Sequence, residues 1–144
     1  MKVSDCMSRE VRVAAMDNTM QSAAQIMADL DAGFLPISDN DRLVGVVTDR
    51  DIAIRGVAAG KPPETSVQEV MSAEVKYCFE DDPVQDVLDN MGDIQVRRLP
   101  VVNRDKKLVG IVSLSDLASA GATDDAGMAL KDIARPSGLH SQVA

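Results

Sequence analysis

The chain has 144 residues and carries 23 acidic against 15 basic side chains, a net charge of −8 at neutral pH. Its hydrophobic fraction of 45% and charged fraction of 26% are ordinary for a globular protein, so wholesale disorder is not expected. The acidic balance disfavours nucleic-acid binding, which needs clustered lysine and arginine. One histidine and two cysteines are too few for a zinc site, and a single histidine near the end of the chain disfavours a histidine-dependent catalytic triad.

The first residues, Met1 to Asp5, lack the apolar core of a secretory signal. No run of the chain reaches the roughly 18 to 20 apolar residues of a membrane span. We therefore expect a cytoplasmic protein without a membrane partner. In a cytoplasmic protein, Cys6 and Cys78 are expected to act as small buried hydrophobic residues. The sequence leaves open whether they ever form a disulfide.

An internal repeat organises the chain. The segment Val3–Ser8 recurs 64 residues later, as does Phe34–Ile37, whereas Leu43–Thr48 recurs 65 residues later. The extra residue falls in a polar stretch. A turn tolerates such an insertion and a strand does not, because a slip would turn every side chain to the opposite face. The repeat therefore predicts two strands joined by a hairpin in each half.

In the first half, Val11–Val13 alternates as a short strand, and the apolar side chains of Met20–Leu30 fall on one helical stripe. Asn18 is the expected N-cap of this helix, and Gly33 marks its end. The hairpin strands follow. The last helix of this half is expected to begin at Thr48.

The second half has the same order. Val75–Tyr77 is predicted to be a strand and Val84–Met91 a helix, with Asp82 as its N-cap and Gly92 near its end. The hairpin strands follow here too, and Ser113 begins the last helix. Each half thus has the predicted order strand, helix, strand, strand, helix.

The predicted fold class is α+β, with two βαββα repeats related by a pseudo-two-fold axis and small sheets covered by helices. We place the first repeat at 1–60, the second at 61–121 and a C-terminal tail at 122–144. The tail is expected to be helical in part, from Asp124 to Ile133, and loose from Pro136 onward. A half of about 60 residues cannot bury a good core alone. The halves must therefore pack together, and uncovered helical faces favour a homodimer.

The last helix of each half begins with one chemical pattern: glycine, two apolar residues, a hydroxyl, two variable residues and an aspartate. The hydroxyl and aspartate are Thr48 and Asp51 in the first half, and Ser113 and Asp116 in the second. A hydroxyl at a helix start favours a phosphate, and the aspartate can accept both hydroxyls of a ribose. Each copy alone is also a helix cap, but two copies in register favour binding. No P-loop is present, so nucleotide hydrolysis is not indicated.

From about Val3 to Leu117 the chain resembles a tandem pair of CBS domains, the Bateman module of small stand-alone bacterial proteins. The Leu-Pro-Ile/Val strand, the Leu-Val-Gly-Ile/Val-Val strand and the Thr/Ser-x-x-Asp ending carry the resemblance, together with Thr48–Ala53 and Val96–Val101. It implies a regulatory module without catalysis that binds AMP, ADP, ATP, NAD or S-adenosylmethionine in two clefts between the repeats. Such a module signals through a protein partner, which the sequence does not name, or through self-association as a homodimer.

The resemblance also implies residue roles. It gives ribose contacts to Asp51 and Asp116, phosphate contacts to Thr48 and Ser113 and to nearby arginines, and a frame for the adenine to the segments around Val13 and Tyr77. The implied nucleotide-binding residues are Thr48, Arg50, Asp51, Arg97, Arg98, Ser113, Asp116, Val13, Lys76, Tyr77, Leu99, Pro100, Leu35 and Pro36. No catalytic residue, catalytic cofactor or metal is predicted.

The two halves are not identical at these positions. The first has Gly33-Phe34 where the second has Arg97-Arg98, and the second has Ser115 where the first has Arg50. The two clefts are therefore expected to differ in phosphate affinity, and it stays open whether both are occupied. The alternative function is a protein-interaction or stress-related protein that binds no nucleotide and keeps the motifs only as helix caps.

Overall fold

The structure, a computed structural model, describes residues 1–120 and 123–135 and has the predicted α+β class. A π-helical segment, Ile52–Val57, directly follows the helical residues Asp49–Asp51, and short 3₁₀ turns lie at Val3–Asp5 and Val67–Glu69. The helices and strands, in chain order, are α1 (Met20–Leu30), β1 (Phe34–Asp39), β2 (Arg42–Thr48), α2 (Asp49–Asp51), β3 (Cys78–Phe79), α3 (Val84–Ile94), β4 (Arg98–Val102), β5 (Leu108–Ser113), α4 (Leu114–Ser119) and α5 (Thr123–Ala134).

Backbone contacts divide the chain into two compact units. Unit 1 comprises Met1–Arg9, Tyr77–Val101 and the chain from Val109 onward, and unit 2 comprises Glu10–Lys76 and Val102–Leu108. Each unit therefore contains the opening segment of the other sequence repeat. The repeat boundaries at residues 60 and 61 describe the sequence pattern and stay a prediction.

In unit 2, β1 and β2 form the predicted hairpin. The strands pair antiparallel, with Leu35 opposite Val47, and the register shifts by one residue after Ile37. The two turn residues Asn40 and Asp41 both have positive φ, as a tight hairpin turn requires. The hydrophobic core of this unit contains Ala14, Met20, Ala23, Met27, Leu35, Ile37, Val47, Val67 and Val70.

In unit 1, the strands are arranged in the order β3-β4-β5, and α3 packs against α5. The apolar stripe of α3 supplies four of the buried core side chains, as the helical spacing predicted. The core of this unit contains Val3, Met7, Cys78, Val84, Val87, Leu88, Met91, Leu99, Val101, Val112, Leu117, Ala126 and Ala129.

The opening segment of each repeat pairs with a hairpin strand in a reciprocal manner. Ser8 exchanges two backbone hydrogen bonds with Ile111 in unit 1, and Ser72 does so with Val46 in unit 2. The strand glycine beside each pair is tightly packed. A Cβ on Gly110 would lie 2.7 Å from the backbone oxygen of Ser8, so a side chain does not fit there.

The two opening strands are shorter than predicted and begin one residue after the predicted segments. Residues 11–13 are irregular, and only Ala14 makes a single bridge, to Ile37; residues 75–77 are irregular as well, and β3 begins at Cys78. The physical reason is a lack of burial. Arg12 and Val13 are both exposed, so the alternating residues of this segment do not form a buried face. A two-residue period needs a half-buried face to stabilise a strand.

The predicted helix ends differ from the observed ones by one or two residues. Thr19, not Asn18, is the N-cap of α1, while Pro83, not Asp82, precedes α3. Asn18 and Asp82 instead accept backbone N–H groups of the preceding turn. The helices end at Asp31 and Gln95 in left-handed conformation, so Gly33 lies beyond α1 and Gly92 lies inside α3.

Helix α5 spans Thr123–Ala134 and contains the whole segment from Asp124 to Ile133 that was expected to be helical. The predicted loose segment from Pro136 lies outside the described residues. None of the described helices is long and apolar enough to cross a membrane.

Candidate functional site

The two hydroxyl–aspartate motifs have matching geometry. In the first repeat, the Thr48 hydroxyl accepts the N–H of Asp51, and the Asp51 carboxylate accepts the N–H of Thr48, both at 3.0 Å. Ser113 and Asp116 form the same two bonds at 3.0 Å in the second repeat. Each motif is therefore a complete capping box. The strand ends in the hydroxyl residue, and the aspartate lies on the first helical turn.

The second carboxylate oxygen differs between the motifs. Oδ1 of Asp51 lies 4.0 Å from Nε of Arg55, whereas the corresponding position in the second repeat is Ala120. Oδ1 of Asp116 has no hydrogen-bond or ion-pair partner among the described residues. The aspartate of the second repeat thus keeps one acceptor oxygen for another group, and that of the first repeat faces a cation of its own unit.

The backbone before each hairpin adjoins the motif. The N–H of Leu114 donates to the carbonyl of Arg97 at 2.9 Å, which brings this arginine next to the start of α4. In the first repeat, the N–H of Asp49 donates to the carbonyl of Gly33 at 3.0 Å. Unit 1 therefore brings Arg97 together with the Ser113–Asp116 motif.

The other predicted contact residues fall into the same two sets. In unit 2, Leu35 and Pro36 are buried beside the bridge at Ala14, so their side chains belong to the core, while Val13 and Lys76 are exposed. Arg50 is exposed, next to Asp51.

In unit 1, Leu99 and Pro100 are buried likewise, and Arg98 is exposed at the start of β4. Tyr77 is half-buried and packs edge to face on Phe79, with ring centroids 5.7 Å apart. Leu35 and Leu99 are 0% and 1% exposed, so these residues belong to the core and offer a ligand no surface of their own.

Both cysteines lie in unit 1. Burial raises the pKa of Cys78 to about 12, with a further contribution from the Asp82 carboxylate. Burial also raises the pKa of Cys6, and the negative charge of Asp116 adds to the effect. Both thiols are free in this structure and donate to backbone carbonyls, Cys6 to Val3 and Cys78 to Pro100.

Sequence reasoning missed Asp49 and Arg55 at this site. The spacing of Asp51 and Arg55, four residues apart on a helix, was the available signal for their ion pair. No sequence signal pointed to the contact between Asp49 and Gly33, since it depends on how the hairpin returns to the helix.

The fold and the duplicated capping motif define a tandem-repeat α+β module. The CBS domain family model matches residues 3–56 and 67–123, and the chain belongs to the CBS-domain family. Its sequence is 38% identical over 135 residues to the uncharacterized protein YlbB of Bacillus subtilis, and the match covers 92% of this chain and 90% of YlbB.

Two crystal structures are similar to this chain. Hypoxic Response Protein I, solved with two coordinated zinc ions, is 40% identical with a TM-score of 0.76, and the match covers 83% of this chain and 98% of that protein. The CBS domain pair of protein MJ0100, in complex with 5′-methylthioadenosine and S-adenosyl-L-methionine, is 29% identical with a TM-score of 0.71. That match covers 86% of this chain and 98% of the pair.

Proposed function

We propose that this protein is a regulatory module that binds an adenine nucleotide such as AMP, ADP, ATP or NAD, and that it acts by binding and not by catalysis. The observation that carries the proposal is the duplicated hydroxyl–aspartate geometry, with hydrogen bonds of equal length in two separate places. A helix cap is needed at any helix start. Here each cap is preceded by a glycine and two apolar residues, and the whole pattern occurs at the same place in both repeats. This repetition favours one ligand chemistry for both motifs.

The residue roles follow from charge and position. Asp51 and Asp116 accept ribose hydroxyls, and Thr48 and Ser113 bond phosphate oxygens. Arginine side chains at Arg50, Arg97 and Arg98 supply the positive charge that a phosphate needs. The adenine lies against Val13 and Lys76 in one set and against Tyr77 in the other. The buried residues Leu35, Pro36, Leu99 and Pro100 act indirectly, by holding the strands of each set in place.

The ligand class has support from a relative. The CBS domain pair of MJ0100 is in complex with two ligands that both contain an adenosyl group. At 29% identity and a TM-score of 0.71, this likeness supports an adenosyl-type ligand here. The number of phosphates on the bound ligand depends on the charged side chains around each motif.

A second candidate function is protein interaction without a ligand. One observation favours it: Asp51 and Asp116 already hold the backbone N–H of their own helix start, so neither motif needs a ligand to be explained. The two candidates differ in whether any adenine compound stabilises the folded protein.

We also propose that the module forms a homodimer through its helices, from which it signals to a protein partner. Large apolar side chains are exposed on helices of both units: Ile54 and Val57 on the π-helical segment, and Met128 and Leu130 on α5. Val57 and Met128 are 68% and 69% exposed, and burial of such side chains against a second copy would favour association. Light scattering should give twice the mass of the chain, and a monomer would contradict this part.

The function is tested by thermal unfolding with AMP, ATP, NAD and adenosine. A ligand that binds only the folded state stabilises it by about 2.7 kcal/mol at one hundred times its Kd, so the unfolding midpoint should rise. The test variant is Asp116→Asn, which keeps an oxygen for the Ser113 N–H but presents an amide group to the ribose. It should fold like the wild type, and its unfolding midpoint should rise less with each ligand.

No shift with any of the four compounds at millimolar concentration would favour the protein-interaction function. Turnover of the nucleotide would contradict the proposed absence of catalysis.

A further inference from the structure

We infer that the second-repeat motif takes the phosphorylated ligand, and that Asp49 closes the first-repeat motif to phosphate while leaving it open to an adenosyl ligand without one. This inference rests on the proposed function and narrows it: Asp49 is a specificity-determining residue that keeps a phosphate away from Thr48 and Arg50, so the phosphate contacts are made in the second repeat alone. The two motifs carry different side chains at positions that the backbone makes structurally equivalent.

The equivalence comes from hydrogen bonds and not only from the sequence match. The N–H of Asp49 donates to the Gly33 carbonyl at 3.0 Å, and the N–H of Leu114 donates to the Arg97 carbonyl at 2.9 Å. Both donors are the first residue of the helix that carries the motif aspartate. Gly33 therefore corresponds to Arg97, and Asp49 corresponds to Leu114.

The side chains at these positions have opposite electrostatic effects. The Asp49 carboxylate lies so close to Gly33 that a Cβ on the glycine would be 2.5 Å from its Oδ2. The carboxylate thus occupies the space in which a side chain at residue 33 would begin. In the second repeat, the position equivalent to Gly33 is Arg97, so the Cβ of an arginine side chain lies there. The residue that corresponds to Asp49 is the uncharged Leu114. At this position an anion meets the negative charge of Asp49 in the first repeat and the positive charge of Arg97 in the second. In the first repeat, Arg50 only balances Asp49, whereas in the second repeat Arg97 and Arg98 face no acidic residue at the position of Asp49.

Two further contacts add to this difference. Asp49 Oδ1 accepts the N–H of Arg50 at 2.8 Å, so this amide is already occupied in the first repeat. The Asp51 carboxylate lies near Arg55, so the positive charge of this arginine is balanced within the protein and is less available to a phosphate. Asp116 has no such partner among the described residues. The phosphate-bearing ligand is therefore expected beside Arg97, Arg98 and Asp116.

The test counts bound ligands per chain by isothermal titration calorimetry, with AMP and adenosine as probes. The wild type should bind one AMP but two adenosine molecules. Asp49→Asn keeps the size of the side chain and removes its charge, so it should bind two AMP, with affinity at the new site raised by about tenfold or more. Adenosine binding should not change.

The matched control is Asp17→Asn, which removes the same charge from an exposed position of the same unit and should still bind one AMP. Two AMP per wild-type chain, or an Asp49→Asn variant indistinguishable from the control, would overturn the inference while leaving the proposed function intact. If neither AMP nor adenosine binds the wild type, the proposed function fails and this inference fails with it.

Discussion

The side-chain amide of Gln95 donates a hydrogen bond to the backbone carbonyl of Arg135 at 3.0 Å, and another to that of Asp132 at 3.1 Å. Gln95 is the C-cap of α3, and the two carbonyls lie at the end of α5. The residue is buried, with 6% of its surface exposed. One side chain therefore caps a second helix and ties it to the first, two residues before Arg97. The last carbonyls of a helix have no partner within it, so the Gln95 amide satisfies that of Asp132 in α5 and that of Arg135 directly after the helix.

Removal of the Gln95 amide should loosen α5. We expect Gln95→Gly to lower protection from amide hydrogen exchange throughout α5, because the glycine retains the left-handed backbone at φ 56 but cannot cap the helix. Net loss of the hydrogen bonds should cost about 1 to 2 kcal/mol. The matched control is Asp31→Gly at the equivalent C-cap of α1, with φ 52, which should leave exchange in α5 unchanged. Unaltered exchange in the Gln95 variant would contradict the capping role.

Alanine at the strand glycines should destabilise the two units unequally. At Gly110 the new Cβ would meet the fixed backbone oxygen of Ser8 at 2.7 Å, whereas at Gly45 the nearest atom, 2.6 Å away, is the sulfur of the flexible Met71. We expect a loss of about 2 to 3 kcal/mol for Gly110→Ala and a smaller one for Gly45→Ala, measured by urea unfolding. The control is Gly127→Ala on α5, where nothing lies within 4 Å; it should stabilise by about 0.5 to 1 kcal/mol. Equal losses at residues 45 and 110 would refute the steric explanation.

The caps should contribute to stability whether or not a ligand binds. Ser113→Ala and Thr48→Ala each remove a hydroxyl that accepts a backbone N–H at 3.0 Å. Each should lower the free energy of unfolding by about 1 kcal/mol. Ser113→Thr is the control and should be nearly neutral, because the first repeat makes the same cap with threonine. A threonine variant as unstable as the alanine variant would show that the hydroxyl bond is not the cause.

The thiol of Cys78 should make stability fall at alkaline pH. Its pKa is raised to about 12 in the folded state, from an ordinary value of 9.0, so the folded protein holds this proton more tightly than the unfolded chain. The corresponding stability is fully present below about pH 9 and is lost as the pH rises toward 12. The loss reaches at most about 1.4 kcal/mol per pH unit. Unfolding in urea at several pH values should show this slope for the wild type and a shallower one for Cys78→Ala. Identical slopes would contradict it.

The sequence alone determined the α+β class, the repeat, the hairpin and the two hydroxyl–aspartate motifs, because each depends on local spacing. A helical stripe such as Met20–Leu30 and a cap such as Ser113 with Asp116 involve residues close in the chain, so their geometry follows from the periods of helices and strands. The resemblance to CBS domains rested on the same local patterns. The short strands predicted at residues 11–13 and 75–77 were placed too early in the chain, because alternation over three residues says nothing about burial.

The tertiary structure decided which parts of the two repeats pack together and which side chains face each motif. Met1–Arg9 joins the unit of the second repeat through backbone bonds such as that of Ser8 with Ile111, a pairing across 103 positions that no local pattern encodes. The contact of Asp49 with Gly33 depends likewise on how the hairpin brings its helix back to the end of α1. Such contacts arise from the packing of distant segments, whose free energy depends on shape and burial in three dimensions.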